Sequence, residues 1–152
     1  MINLQNSIQV RLTKTKKEFK EVLNIRKTVL IREQNVPQGL ELDGLDKISL
    51  HVIVFCRNKP IGCARARIEK RVARLERIAL LKSWRGKGVG NELMSYLIRY
   101  CSKKGAGKII MHSQYYLKNF YAKFGFKPFG SPFTEAGIKH LEMRLRLRNE
   151  KE

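Results

Sequence analysis

The stretch SWRGKGVGNEL, residues 83–93, sets three glycines at alternating positions behind Arg85 and Lys87, just ahead of an apolar pattern with helical spacing. Glycine weakens a helix, so Gly86, Gly88 and Gly90 at a helix start need a reason. The first N–H groups of a helix have no partner and the dipole is positive there. A residue without a Cβ lets that backbone come close to a phosphate, and Arg85 and Lys87 add charge. The strand-like RIALL before the loop and the helix beginning at Val89 complete the order in which phosphates dock. A plain flexible connection is the alternative. Two phosphate loops are excluded. No glycine here opens G-x-x-x-x-G-K-[ST], and in G-x-G-x-x-G the third glycine would come one residue later. What remains is R-x-x-G-x-G, carried by Arg85, Gly88 and Gly90.

The elements that must hold this loop can be read from periodicity. Ile8 to Leu12 suits a first strand. Lys16 to Gln34 reads as one helix, with Phe19, Val22, Leu23, Arg26, Val29 and Leu30 three and four apart. Pro37 and QGLELDGLD form a loop that gathers Glu41, Asp43 and Asp46. Ser49 to Cys56 is a β-branched strand, RNKP turns it, and IGCARARIE follows with Ala64, Ala66 and Ile68 on one face. VARLERIAL completes an antiparallel meander. Val89, Leu93, Tyr96, Leu97, Tyr100 and Cys101 mark a long helix, which Lys103, Lys104 and Gly105 can end. KIIMHS is a short strand, and Leu117, Phe120, Tyr121 and Phe124 trace a helix closed by Gly125. In the last hairpin Leu141, Met143, Leu145 and Leu147 alternate with Glu142, Arg144, Arg146 and Arg148. The fold class is α/β (α+β): a mixed, mainly antiparallel sheet with helices on both faces, in one domain spanning residues 1–152.

With 152 residues and 43% hydrophobic content the chain can bury a core. No apolar run is long enough for a membrane span, and the N-terminus lacks the form of a signal peptide, so a cytoplasmic protein is expected. Cys56, Cys63 and Cys101 fit no metal-ligand spacing and read as buried thiols. Thirty-two Lys and Arg against thirteen Asp and Glu give a net charge of +19. Such a charge attracts any polyanion and selects none.

With both signatures in place, the chain resembles a GNAT-superfamily N-acetyltransferase over nearly its whole length. R-x-x-G-x-G is similar to that superfamily's acetyl-CoA pyrophosphate loop. NFYAKFGF, residues 119–126, resembles its second signature, in which the asparagine touches the cofactor arm and the tyrosine faces the sulfur. LERIALLKSWRG, REQNVP with ELDGLD, and EAGIKHLEM resemble a small, functionally ill-defined microbial branch, which carries proline where this chain has Lys139. The resemblance implies acetyl-CoA as cosubstrate, no metal, and direct attack of an acceptor amine on the thioester. It implies cofactor contacts from Ile78, Ala79 and Leu80 on the strand before the loop, from Arg85, Gly86, Lys87, Gly88, Val89 and Gly90 in it, and from Asn119, Phe120 and Tyr121. The residues add a hint of their own: Arg74 and Glu76 are polar while Ile78 and Leu80, in the same alternation, are apolar. A β-bulge near residues 77–79 would reset the phase.

Tyr121 matches the superfamily tyrosine that protonates the departing thiolate; as a member of a helical stripe it is equally a core aromatic. Glu76 lies on the strand where many members carry a catalytic glutamate, though it also has arginines around it. His112, His140 and bound water are the other bases. The resemblance places the acceptor side at the first helix and the loop after it, where Arg26, Glu33, Glu41, Asp43 and Asp46 leave open a cationic amine, an anionic one, or a solvated loop. The acceptor itself is a small-molecule or protein amine. A homodimer through the alternating strand Leu141 to Leu147 is expected from the resemblance. The alternative function is a basic nucleic-acid- or ribosome-associated module with little or no catalysis; no aromatic-basic signature of an RNA-binding sheet favours it.

Overall fold

The computed structural model describes residues 7–147; the amino-terminal segment and Arg148 of the last alternation lie outside the described residues. The chain order is β1 (Ile8–Leu12), α1 (Lys16–Arg26), α2 (Gln38–Glu41), β2 (Leu50–Cys56), β3 (Lys59–Glu69), β4 (Val72–Leu80), α3 (Val89–Lys103), β5 (Lys108–Gln114), α4 (Lys118–Ala122), β6 (Lys127–Pro128), β7 (Phe133–Glu135) and β8 (Ile138–Arg146). The strands form one sheet in the order β1-β2-β3-β4-β5-β8-β6, with β7 also paired to β8. Every pairing is antiparallel except β4 with β5.

Alternation along the strands explains the layers. Ala73, Leu75, Ile109, Met111, Leu141 and Met143 face one side and pack with Val89, Leu93, Leu97, Tyr121 and Phe126 of the α3 and α4 region. On the other side α1 and the helical turns after it lay Val22, Ile25, Val29 and Leu30 over Ile53, Cys63 and Ala79. Thr15 starts α1 by accepting from the Glu18 N–H at 3.1 Å, and Glu18 reaches back to the Lys14 N–H and to Arg11.

Three expectations need correction. The first helix does not run uniformly from Lys16 to Gln34. After Arg26 it widens into a π-helical segment, Lys27–Glu33, closed by a bond from the Gln34 N–H to the Val29 carbonyl. Two turns are too few for apolar spacing to separate these helix types. The helix carrying Tyr121 is shorter than its stripe: Tyr115–Leu117 is a 3₁₀ turn and only Lys118–Ala122 is α-helical. The last strand is not a free edge, because β5 flanks it on one side and β6 and β7 cover the other. Cys56, Cys63 and Cys101 are free and buried.

Candidate active site

The site begins where β4 stops pairing with β5. Their parallel register holds from Val72↔Lys108 to Leu75↔Met111 and then ends. On its other edge β4 carries an extra residue, since Arg65↔Glu76 is followed by Cys63↔Ala79. Arg77, at φ +55°, absorbs that bulge. The phase reset read from the sequence is therefore present. Past Leu75, the β5-facing edge of β4, including Ile78, Ala79 and Leu80, has no strand beside it among the described residues.

A cleft of about 460 Å³ opens there, lined among others by Arg74, Glu76, Arg77, Ile78, His112, Tyr121, Glu135 and His140. Its volume suits a small ligand. Tyr121 is 5% exposed in its wall. Burial pushes its phenol above the ordinary tyrosine range, so it stays protonated.

Beyond β4, Lys82–Trp84 makes a 3₁₀ turn and the glycine loop follows. Gly86 and Gly88 have φ of +74° and +85°, a conformation that side chains disfavour. The first bond into α3 runs from the Glu92 N–H to the Gly88 carbonyl. The N–H groups from Gly86 to Asn91, Lys87 and Val89 included, have no backbone acceptor among the described residues. Gly90 answers a different demand: a Cβ there would stand 3.1 Å from the Phe120 ring. This contact ties the loop to α4 and brings the two signatures together. Asn119 is exposed on α4. The Arg85 side chain turns back, donating to the Leu80 carbonyl at 2.8 Å and to Glu33 at 2.9 Å. The Lys87 ammonium lies 5.5 Å over the Trp84 ring.

Beside residues 41–46, Arg26 and Arg65 are each 1% exposed. Arg26 donates to Glu41 and, at 2.9 Å, to Asp46. Arg65 donates to Asp43 at 2.7 Å, Asp46 at 3.0 Å and Glu76 at 2.6 Å. Arg67 adds bonds of 2.5 and 3.1 Å to Glu76. Burial pushes the Glu76 carboxyl up, but the bonds from Arg67 and Arg65 outweigh it and hold it below its ordinary value. On the facing wall the His140 Nδ1 lies 2.7 Å from the Ile138 carbonyl. A carbonyl only accepts, so Nδ1 carries the hydrogen, and in the neutral ring Nε2 is the acceptor. That Nε2 is 3.7 Å from Glu135, which also stands 3.4 Å from His112.

Residues 15–147 match the family described as the Acetyltransferase (GNAT) domain. The chain belongs to the GNAT family. It is an acyltransferase, and its sequence is 36% identical over 133 residues to the uncharacterized N-acetyltransferase YjcF of Bacillus subtilis, covering 87% of this chain and 95% of that one. An acyl-CoA N-acyltransferase from Pseudomonas aeruginosa superposes with a TM-score of 0.82 at 23% identity, over 91% and 99% of the two chains. A GNAT acetyltransferase from Elizabethkingia anophelis, solved with acetyl-CoA bound, gives 0.75 at 14% identity over 93% and 99%.

Within this GNAT domain the bulged strand and Tyr121 line one cleft, and the glycine loop packs on α4 through Gly90 and Phe120. The sequence reading located all three but missed the arginine wall. IGCARARIE was read for its alanine face, although the same alternation sets Arg65 and Arg67 opposite the acidic loop. Glu41, Asp43 and Asp46 neither wait for a cationic acceptor nor form a solvated loop; arginines hold all three. Glu135 was also missed, and only its juxtaposition with two histidines singles it out. Among the described residues no cluster of His, Cys, Asp and Glu is suited to a metal, and no helix is long and apolar enough to cross a membrane.

Proposed function

We propose that residues 1–152 form one N-acetyltransferase domain that transfers acetyl from acetyl-CoA to an amine. The observation that carries this is the splay of β4 from β5 beside a glycine loop with unpaired N–H groups and a protonated tyrosine in the cleft wall. Acetyl-CoA supplies a thioester open to attack by a neutral amine. The loop from Gly86 to Gly90 holds its pyrophosphate on backbone N–H groups and the α3 dipole. Arg85 braces the loop against Leu80 and Glu33, and Lys87 contributes charge. The open edge at Ile78 to Leu80 offers amides to the pantetheine arm and to the carbonyl oxygen. Phe120 seats the loop, and Asn119 faces the arm from α4. As the amine nitrogen bonds to the carbonyl carbon the C–S bond breaks, and Tyr121 gives its proton to the sulfur.

Glu76 is a poor proton acceptor, because Arg65 and Arg67 occupy its oxygens. We assign that step to Nε2 of the neutral His140 ring, which lines the cleft beside Glu135. In this reading Glu76 positions the arginine wall.

The test is thermal unfolding in moderate salt with acetyl-CoA, with ATP as a polyanion control, and with Gly88→Glu. Acetyl-CoA at about 100 times its Kd should add roughly 2.7 kcal/mol, or about 5 to 10 °C, and the variant should lose the shift. An equal response to ATP, or none, would remove the coenzyme site and favour a basic nucleic-acid-binding module.

A further inference from the structure

One face of the sheet is only half covered. Beyond α1, most residues that share a side with Arg65 are polar, buried Ile110 being an exception, and pairing registers align several of them in a single row. Arg67 pairs with Arg74, Arg74 with Ile110, Ile110 with Arg144, and Arg144 with Lys127. Four cations thus stand across five adjacent strands at spacings of about 4.8 Å per strand. Directly opposed like charges destabilise a sheet, yet this row holds two such pairs, Arg67 with Arg74 and Arg144 with Lys127.

Compensation is uneven. Arg67 is neutralised by Glu76, and Arg144 by Glu142 at 2.7 Å. Arg74 and Lys127 are exposed and have no ion pair among the described residues. Of the two, Arg74 lines the cleft. Arg77, also in its wall, donates to Asp43 and to the Leu40 and Glu41 carbonyls. The carboxylates on that side are engaged by arginines, which leaves Glu135, between His112 and His140, as the acidic group facing the amine end.

We propose that the acceptor is a small amine that also carries a phosphate or carboxylate, with the anion held by Arg74 of the cation row and the amine directed to Glu135 and His140. The proposal rests on the acetyl-transfer function. A small molecule is the occupant because Arg74 opens into a bounded cleft of about 460 Å³, whereas the outer cations can only raise the local anion concentration.

The experiment compares ω-aminoalkyl phosphates of two to six carbons with the matched amino alcohols as acceptors, at fixed ionic strength. It uses the wild type, Arg74→Gln, and Lys108→Gln, an exposed residue outside the row that controls for bulk charge. Calorimetric titration of inorganic phosphate runs in parallel without coenzyme. The phosphates should show a kcat/KM at least roughly tenfold above the alcohols, an advantage lost through KM in Arg74→Gln and kept in Lys108→Gln. Phosphate should bind the wild type and Lys108→Gln more tightly than Arg74→Gln. Equal kcat/KM for the two series, or a preference that survives in Arg74→Gln, overturns the proposal. If no amine is acetylated but phosphate binding still depends on Arg74, the anion site stands and the acetyl-transfer function falls. If neither is seen, both fall. A single-stranded oligonucleotide that binds all three proteins equally, with steep salt dependence, would overturn it in favour of a nucleic-acid surface. Melting temperatures within a few degrees of each other would exclude misfolding, and Lys127→Gln, with a smaller loss in KM, is the second variant.

Discussion

Tyr121 and Glu76 were both read from the sequence as catalytic residues, and their surroundings divide them. The phenol is buried, protonated and in the cleft wall, whereas the carboxylate accepts four hydrogen bonds from Arg65 and Arg67. Replacing Tyr121 with Phe should lower kcat by about 10²-fold while leaving acetyl-CoA affinity unchanged. A variant with full kcat would strip the tyrosine of that role. Glu76→Gln should cost about 1–3 kcal/mol in urea unfolding and leave kcat within a few-fold of wild type. Collapse of kcat in a protein of normal stability would restore Glu76 as the base. Sequence pattern could place both residues on their elements. It could not count the arginines around one of them, because those come from other positions in the meander.

At the scale of elements, the loop and the buried ion network each join parts distant in the chain. Gly88 was legible as a loop glycine, and its φ of +85° is the reason alanine should not replace it. Gly88→Ala should lose roughly 1–2 kcal/mol, measured by thermal or urea unfolding, and should weaken acetyl-CoA binding with it. The sequence reading gave Gly90 a close approach to phosphate, and in the fold a Cβ there would meet the Phe120 ring. The network around Arg65 fastens the Glu41–Asp46 segment to β3 and β4. Arg65→Met leaves Asp43, Asp46 and Glu76 short of their partner and should destabilise the fold by about 3 kcal/mol, read from the urea midpoint. A midpoint shift near zero would mean that water replaces the guanidinium without cost.

For the whole molecule, acid stability should follow two groups in turn. His51 donates from Nε2 to the Asp46 carbonyl at 2.9 Å, and its Nδ1 is buried without a partner among the described residues. Burial, with Arg26 and Arg65 nearby, lowers its affinity for a proton from the ordinary 6.5. The unfolded chain therefore binds that proton first, and stability falls as pH drops below about 6.5. Asp46 and Glu76 are also held low, from 3.8 and 4.5, so a second loss follows below about pH 4. Unfolding free energies measured from pH 7 to 3 should show both phases, with His51→Gln flattening the first. A curve level down to about pH 5 in the wild type would contradict the histidine's part. By itself the sequence determined the order of elements, the bulged strand, the glycine loop and the family resemblance, because periodicity, turn residues and short motifs are local. Only the tertiary structure decided that the acidic loop is neutralised from within, that Glu135 meets two histidines, and that Arg67, Arg74, Arg144 and Lys127 share one row. Each of those depends on strand register and on side chains meeting across many intervening residues, which no local spacing records.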